Sequence, residues 1–288
     1  MKVNINNIWS EYELIDCGNF RKLERFSNIV LIRPDVTADS QQAMSEDEWK
    51  RVAHAEFIET SKNAGVWDLS KNLPESWIMK YVSSEVNFSA ELSLTKSKHI
   101  GIFPEQALNW KFIEKISPEF KKMQFLNLFG YTGLSSLAAA GFSKRVTHVD
   151  SIKKVVEWTK RNALNSGFSN IRCIAEDAPK FVSRELNRNN KYDGIILDPP
   201  AIGVGANSEK WVLEEMIDGL LINITQILNE KSFVIMNLYS HSMNEKFIHR
   251  LILTYFPQHK FEFCEKVYGQ STSGNFIDHG FFVRLVKL

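Results

Sequence analysis

Apolar and polar positions follow two different rhythms along the chain. In "VNFSAELSLT", Val86, Phe88, Ala90, Leu92 and Leu94 alternate with Asn87, Ser89, Glu91 and Ser93, the period of a half-buried strand. "SWIMKYV" reads as a strand too, and "YELIDCGNFRKLERFSNIVLIRP" as two strand-like runs around the turn signal Gly18-Asn19. "EDEWKRVAHAEFIETSKNAG" reads as a short helix ending near Gly65. Residues 1–100 are therefore expected to form a small β-rich domain.

From Pro104 onward the period changes. "PEQALNWKFIEKI" puts proline at a helix start and Leu108, Phe112, Ile113 and Ile116 on one face. The strand-like runs "FLNLF", "RVTHVD", "IRCIAED", "YDGIILD" and "SFVIMNLY" then alternate with the helical segments "LSSLAAAG", "SIKKVVEWTKRNALNSG", "APKFVSRELNRNN" and "SEKWVLEEMIDGLLINITQILN". Such alternation predicts an α/β domain over residues 101–288, with a parallel sheet and helices on both faces. Two final strands, "KFEFCEKVYG" and "HGFFVRLVKL", flank a Gly/Ser/Asn-rich turn and are expected to pair antiparallel.

Composition narrows the setting. The chain has 288 residues, 35 basic and 34 acidic, for a net charge of +1, so no global field draws it to nucleic acid and none forbids a local basic patch. No apolar run reaches membrane-spanning length, and "MKVNINNIWSEYELID" lacks a signal-peptide core. Cys17, Cys173 and Cys264 match no zinc or redox spacing, which fits a cytoplasmic protein; no histidine–carboxylate cluster has metal-ligand spacing, so no metal is expected.

The candidate chemistry lies at the strand ends. In an open parallel sheet, ligands sit outside the carboxyl ends of the strands. "FLNLFGYTGLSSLAAAG" turns from strand to helix through Gly130-Tyr131-Thr132-Gly133, where glycines permit close approach; the turn alone is as consistent with a tight connection that holds no ligand. Asp150 ends the next strand about twenty residues on, where a carboxylate can accept both hydroxyls of a ribose. That would suit a nicotinamide dinucleotide, but Gly-Tyr-Thr-Gly lacks the third glycine of the dinucleotide fingerprint. Asp177, before Ala178, can accept from an adenine amino group, cap the helix that follows, or both. The fourth strand ends in Asp198-Pro199-Pro200, a stiff segment with a carboxylate aimed at the cleft.

Together, "FLNLFGYTG", "HVDSIKKVVEWTKRNALNSGF", "AEDAPKFV" and "YDGIILDPP" resemble the motifs of class I S-adenosylmethionine-dependent methyltransferases, and more closely the I/K-type methyltransferases of large-subunit ribosomal RNA. "KSKHIGIFPEQALNW" is similar to the segment preceding their catalytic domain; the resemblance covers roughly residues 86–288, and the first third departs from it. It implies a Rossmann-like sheet of seven strands, the last antiparallel. It also implies S-adenosylmethionine bound by Phe103, Phe129, Gly130, Tyr131, Thr132, Gly133, Asp150, Ser151, Asp177, Ala178 and Asp198. Asp198, Pro199 and Pro200 would face the acceptor, expected to be a ribosomal RNA base. Lys98, Gln106 and Asn109 are carried over as weaker members of the pocket.

For an amino acceptor, Asp198 can take the N–H bonds and aim the lone pair at the methyl group. Methylation at pyrimidine C5 needs a cysteine near the end of the fifth strand, and "VIMNLYSHSM" has none. Ala201 stands after the prolines where an aromatic often stacks a flipped base, leaving Tyr131, Trp211, Tyr239 and His241 as alternatives. His99 and His241 are candidates for proton removal. "NFRKLERF" and "KKVVEWTKR" could meet phosphate, although solvated faces are the plainer reading. A nicotinamide-dependent oxidoreductase, a methyltransferase acting on protein or a small molecule, and a non-catalytic binding module are the competing functions.

Overall fold

The computed structural model describes the chain except for residues 5–6, 62–63, 206–208 and 240–243. Two compact units emerge, Met1–Leu108 with Val267–His279, and Asn109–Lys266 with Gly280–Leu288.

The first unit holds β1 (Lys2–Val3), β2 (Tyr12–Gly18), β3 (Arg21–Phe26), β4 (Ile29–Pro34), α1 (Glu46–Val52), β5 (Ala55–Ser61), β6 (Ala64–Leu69), β7 (Trp77–Val82) and β8 (Asn87–Leu92). Strands β2 to β6 form one sheet in chain order, β7 pairs with β8, and β1 pairs parallel with Tyr268 and Gly269. The expected two runs before Pro34 are three strands, because the chain reverses a second time at Ser27, whose φ is 58°. The expected helix to Gly65 stops at Val52, after a capping box of Ser45 and Glu48 has opened it. Ala53 turns extended, His54 N donates to Val30 O at 2.7 Å, and Ala55 and Phe57 are buried in β5 alongside β4. Tertiary pairing thus overrides the helical reading of "AEFIETS". The basic residues of "NFRKLERF" are committed to carboxylates: Arg21 to Glu46 and Glu56, Lys22 to Asp35 at 3.2 Å, and Arg25 to Glu13 at 3.1 Å.

The second unit is built from α2 (Ala107–Ile116), β9 (Met123–Leu128), α3 (Leu134–Ala140), β10 (Ser143–Asp150), α4 (Lys153–Asn165), β11 (Ile171–Ala175), α5 (Ala178–Asn187), β12 (Tyr192–Leu197), β13 (Ile202–Val204), β14 (Lys210–Val212), α6 (Leu213–Ile227), β15 (Leu228–Leu238), α7 (Glu245–Tyr255), β16 (Lys260–Gln270) and β17 (Phe276–Lys287). The central sheet has eight strands in the order β11-β10-β9-β12-β15-β17-β16-β1, the two-residue β1 lying on the edge of β16. Its first five strands are parallel, and β17 is antiparallel to β15. Seven of these strands, with an antiparallel β17, match the expected Rossmann-like sheet, and β1 adds an eighth that the sequence reading did not include.

Alternation along β9 explains the layering. Leu126 and Leu128 face a core completed by α5, α6 and α7, whereas Met123 and Phe125 face a second core with α2 and α3. The segment expected as one helix from Ser208 starts its helix at Leu213. Lys210–Val212 instead pairs antiparallel with Ile202–Val204, a hairpin too short to leave a periodic trace in the sequence. Helix α7, opened by an Asn244 cap, was not foreseen. No helix among the described residues is long and apolar enough to cross a membrane.

Candidate active site

Strand order reverses between β9 and β12, and their carboxyl ends adjoin: Asp198 N lies 3.4 Å from Leu128 O. At such a switch point the connections leave in opposite directions and open a crevice. The turn after β9 forms one wall. Phe129, Tyr131 and Gly133 have φ of 55°, 50° and 86°, and Gly133 N donates to Gly130 O at 3.0 Å before α3 begins.

Both glycines are demanded from inside the protein. A β-carbon on Gly130 would stand 2.4 Å from His148 Cε1, and one on Gly133 2.2 Å from Thr159 Cγ2. Beneath the turn lies a buried polar chain whose direction follows from its members. Thr159 Oγ1 donates to Tyr131 O at 3.0 Å, so its lone pair receives His148 Nε2–H at 3.1 Å. Nδ1 is then the acceptor, taking Ser136 Oγ–H at 3.1 Å, while Ser136 Oγ accepts from Asn127 Nδ2 at 2.9 Å. Burial pushes the His148 imidazole down to about 3, so it stays neutral, as this chain requires. Asn162 Nδ2 adds a bond to Thr132 O at 2.9 Å. None of these supports was found by sequence reading, since each is an ordinary polar residue inside a helix or strand.

Asp150 ends β10 beside this turn. Its Oδ2 accepts from Tyr131 N at 3.0 Å and its Oδ1 from Ile152 N at 2.9 Å, with half-buried Ser151 between. Burial raises its pKa above the usual carboxylate value, and the two amides pull it back in part. Each oxygen keeps a lone pair for a vicinal diol. Asp177 caps α5, accepting from Lys180 N at 3.0 Å, and Ala178 is buried behind it. Pro199 is buried and Pro200 exposed; Pro200 O accepts Trp211 Nε1 at 2.7 Å. Trp211 is 5% exposed and its ring packs on Phe129 at 4.9 Å, so it braces the wall and is not open to stack a base. Tyr239 is 37% exposed; His241 lies outside the described residues.

The second unit thus gathers Phe129–Gly133, Asp150, Ser151, Asp177, Ala178 and Asp198–Pro200 at the ends of four adjacent strands. Lys98, His99, Phe103 and Gln106 belong to the first unit. There the rings of His99 and Phe103 are 5.2 Å apart, and burial, with Arg33 and Lys98, pushes His99 down to about 3, which leaves it a weak base. Burial raises the thiols of Cys173 and Cys264 to about 11, so neither is a ready nucleophile.

A family profile described as conserved hypothetical protein 95 matches residues 108–259. The chain belongs to this family. Among curated relatives, this member of the conserved hypothetical protein 95 family is 29% identical over 166 residues to the ribosomal RNA large subunit methyltransferase K/L of Buchnera aphidicola, covering 56% of this chain and 23% of that protein. It is 31% identical over 172 residues to the K/L enzyme of Pseudoalteromonas atlantica, covering 57% and 23%. The chain therefore spans about a quarter of those relatives' length. The crystal structure of a SAM-dependent methyltransferase from Agrobacterium tumefaciens superposes with a TM-score of 0.86 at 28% identity, covering 100% of this chain and 93% of that one. The fold is that of the S-adenosylmethionine-dependent methyltransferases.

Proposed function

We propose that this chain is a cytoplasmic methyltransferase that carries a methyl group from S-adenosylmethionine to an amino group on a base of ribosomal RNA. The observation that carries the reading is the convergence of a left-handed glycine turn, a ribose-type carboxylate, a capped helix start and an Asp-Pro-Pro at one switch point. The full-length likeness to the Agrobacterium methyltransferase supports the cofactor, and the K/L relatives support the RNA. The three cysteines are free, in keeping with a reducing compartment.

The residues fit the cofactor. Asp150 retains one lone pair per oxygen for the ribose hydroxyls, the Phe129–Gly133 turn holds the methionine end, and Asp177 with Ala178 meets the adenine. When bound, the sulfonium supplies an already activated methyl. Asp198 accepts the N–H bonds of the incoming amine and orients its lone pair; Pro199 and Pro200 fix the carboxylate by removing backbone freedom. No cysteine stands at the end of β15, so addition to pyrimidine C5 is not part of this reading.

The test is transfer of labelled methyl from S-adenosylmethionine into extract of cells lacking the protein, followed by separate ribonuclease and protease digestion. Release by ribonuclease alone is expected. Release by protease alone would overturn the RNA assignment, and absence of both label and S-adenosylhomocysteine binding would overturn the enzyme assignment.

A further inference from the structure

Arg284 on β17 is a half-buried guanidinium with no carboxylate partner among the described residues. It lies over the rings of Phe112 at 5.3 Å and Phe263 at 5.1 Å, and burial lowers its pKa to about 10. Its Nε and Nη2 both donate to Asn109 Oδ1, at 3.1 and 3.0 Å. A guanidinium has donors only, so the Asn109 carboxamide can face it in one sense alone. Asn109 Nδ2 then points the other way and donates to Asn237 Oδ1 at 3.0 Å. The same logic passes on once more: with Oδ1 used, Asn237 must present its NH2 group. Among the described residues that NH2 makes no hydrogen bond, although Asn237 is only 4% exposed.

The position of this amide gives it meaning. Leu197 on β12 and Met236 on β15 are the last paired residues of adjacent strands; Asp198 follows the first and Asn237 the second. An obligate acceptor and an oriented donor thus stand side by side at the carboxyl ends of neighbouring strands.

We propose that Asn237 is a specificity-determining residue, donating to the carbonyl or ring-nitrogen lone pair next to the amine that Asp198 receives, with Arg284 and Asn109 as positioning residues that fix its sense. The acceptor is accordingly a heterocycle that carries an amino group beside a lone pair, as on the edge of a purine or of cytosine. This rests on the methyltransferase reading above. A site built around a hydrogen bond discriminates strongly against a partner that cannot make it.

Two variants test it, with labelled S-adenosylmethionine and the RNA of cells lacking the protein as probe. Asn237→Asp still accepts from Asn109 but loses the NH2 donor. A fall of about 100-fold in kcat/KM is expected at neutral pH, partly regained in acid as the new carboxyl protonates, with S-adenosylhomocysteine binding unchanged. Asn109→Asp accepts from Arg284 with both oxygens, so Asn237 must turn its NH2 toward it and offer Oδ1 to the acceptor. A comparable loss is expected without change at position 237, with the melting temperature held. Wild-type methylation that survives both substitutions in a folded protein would overturn the proposal and leave the methyltransferase reading standing. A wild type that methylates nothing and binds no S-adenosylhomocysteine would overturn that reading instead.

Discussion

The imidazole of His148 occupies the space where Gly130 would carry a side chain, with Cε1 and Nδ1 2.4 and 2.5 Å from that position. The ring cannot retreat, because its two nitrogens are held by Ser136 and Thr159. The turn that walls the crevice is therefore seated on a fixed plug, and its backbone amides and carbonyls are held before any ligand arrives.

Gly130→Ala is expected to destabilise the fold by about 1–3 kcal/mol through overpacking. Gly133→Ala should cost more, since a left-handed φ of 86° adds to the clash with Thr159. Urea denaturation of the two variants measures this. Equal and negligible losses would mean that the neighbours yield easily.

Asp150→Asn replaces one acceptor oxygen with an NH2 that must face Tyr131 N or Ile152 N, both donors. Affinity for S-adenosylhomocysteine should fall about 10- to 100-fold by calorimetry. In the parent protein the affinity should decline as pH drops through the raised pKa of Asp150, because only the carboxylate accepts both ribose hydroxyls.

Asp198→Ala should reduce methyl transfer about 100-fold or more, the scale of a lost acceptor at the reacting group. S-adenosylhomocysteine binding and melting temperature should change far less. A variant that turns over at the parental rate would remove Asp198 from the chemistry.

His148 ties stability to pH. Its ordinary value of 6.5 applies unfolded, and folding lowers it to about 3, so the unfolded chain binds the extra proton between those limits. Stability is fully present above 6.5 and is lost as pH falls toward 3, at about 1.4 kcal/mol per pH unit for this group. His99 and His259, lowered to about 3 and about 4, act in the same direction. His148→Gln should flatten the slope between pH 6.5 and 5 by about one proton's worth, read from denaturation midpoints.

Sequence patterns revealed what depends on one segment at a time. The apolar runs ending in Asp150 and Asp198 mark buried parallel strands because polarity returns at the crevice. "AEFIETS" misled because its helix-compatible residues are held extended by β4, a partner that no local window contains. The supports were less legible still. Asn109, Asn237 and Arg284 are 128 and 175 positions apart in their two contacts, and none means anything until register brings them together. Donor and acceptor sense belongs to that geometry, whereas the residue types alone are unremarkable.

The first unit borrows Val267–His279 from sequence that follows β15 of the second. Thr272 N donates to Leu14 O at 2.8 Å, Thr272 Oγ1 to Glu13 Oε1 at 2.9 Å, and Asn275 Nδ2 to Cys17 O at 2.7 Å and Gln41 O at 2.9 Å. During synthesis Asn275 emerges 258 residues after Cys17, to which it binds. Domains usually complete themselves in the order in which they leave the ribosome. Here β2 and the segment around Gln41 must wait for these bonds until residues 267–279 have been made. The first unit is thus finished only after β9 to β15 of the second have been made, and a nascent chain stalled before residue 267 would carry that unit open, exposed to proteases and chaperones.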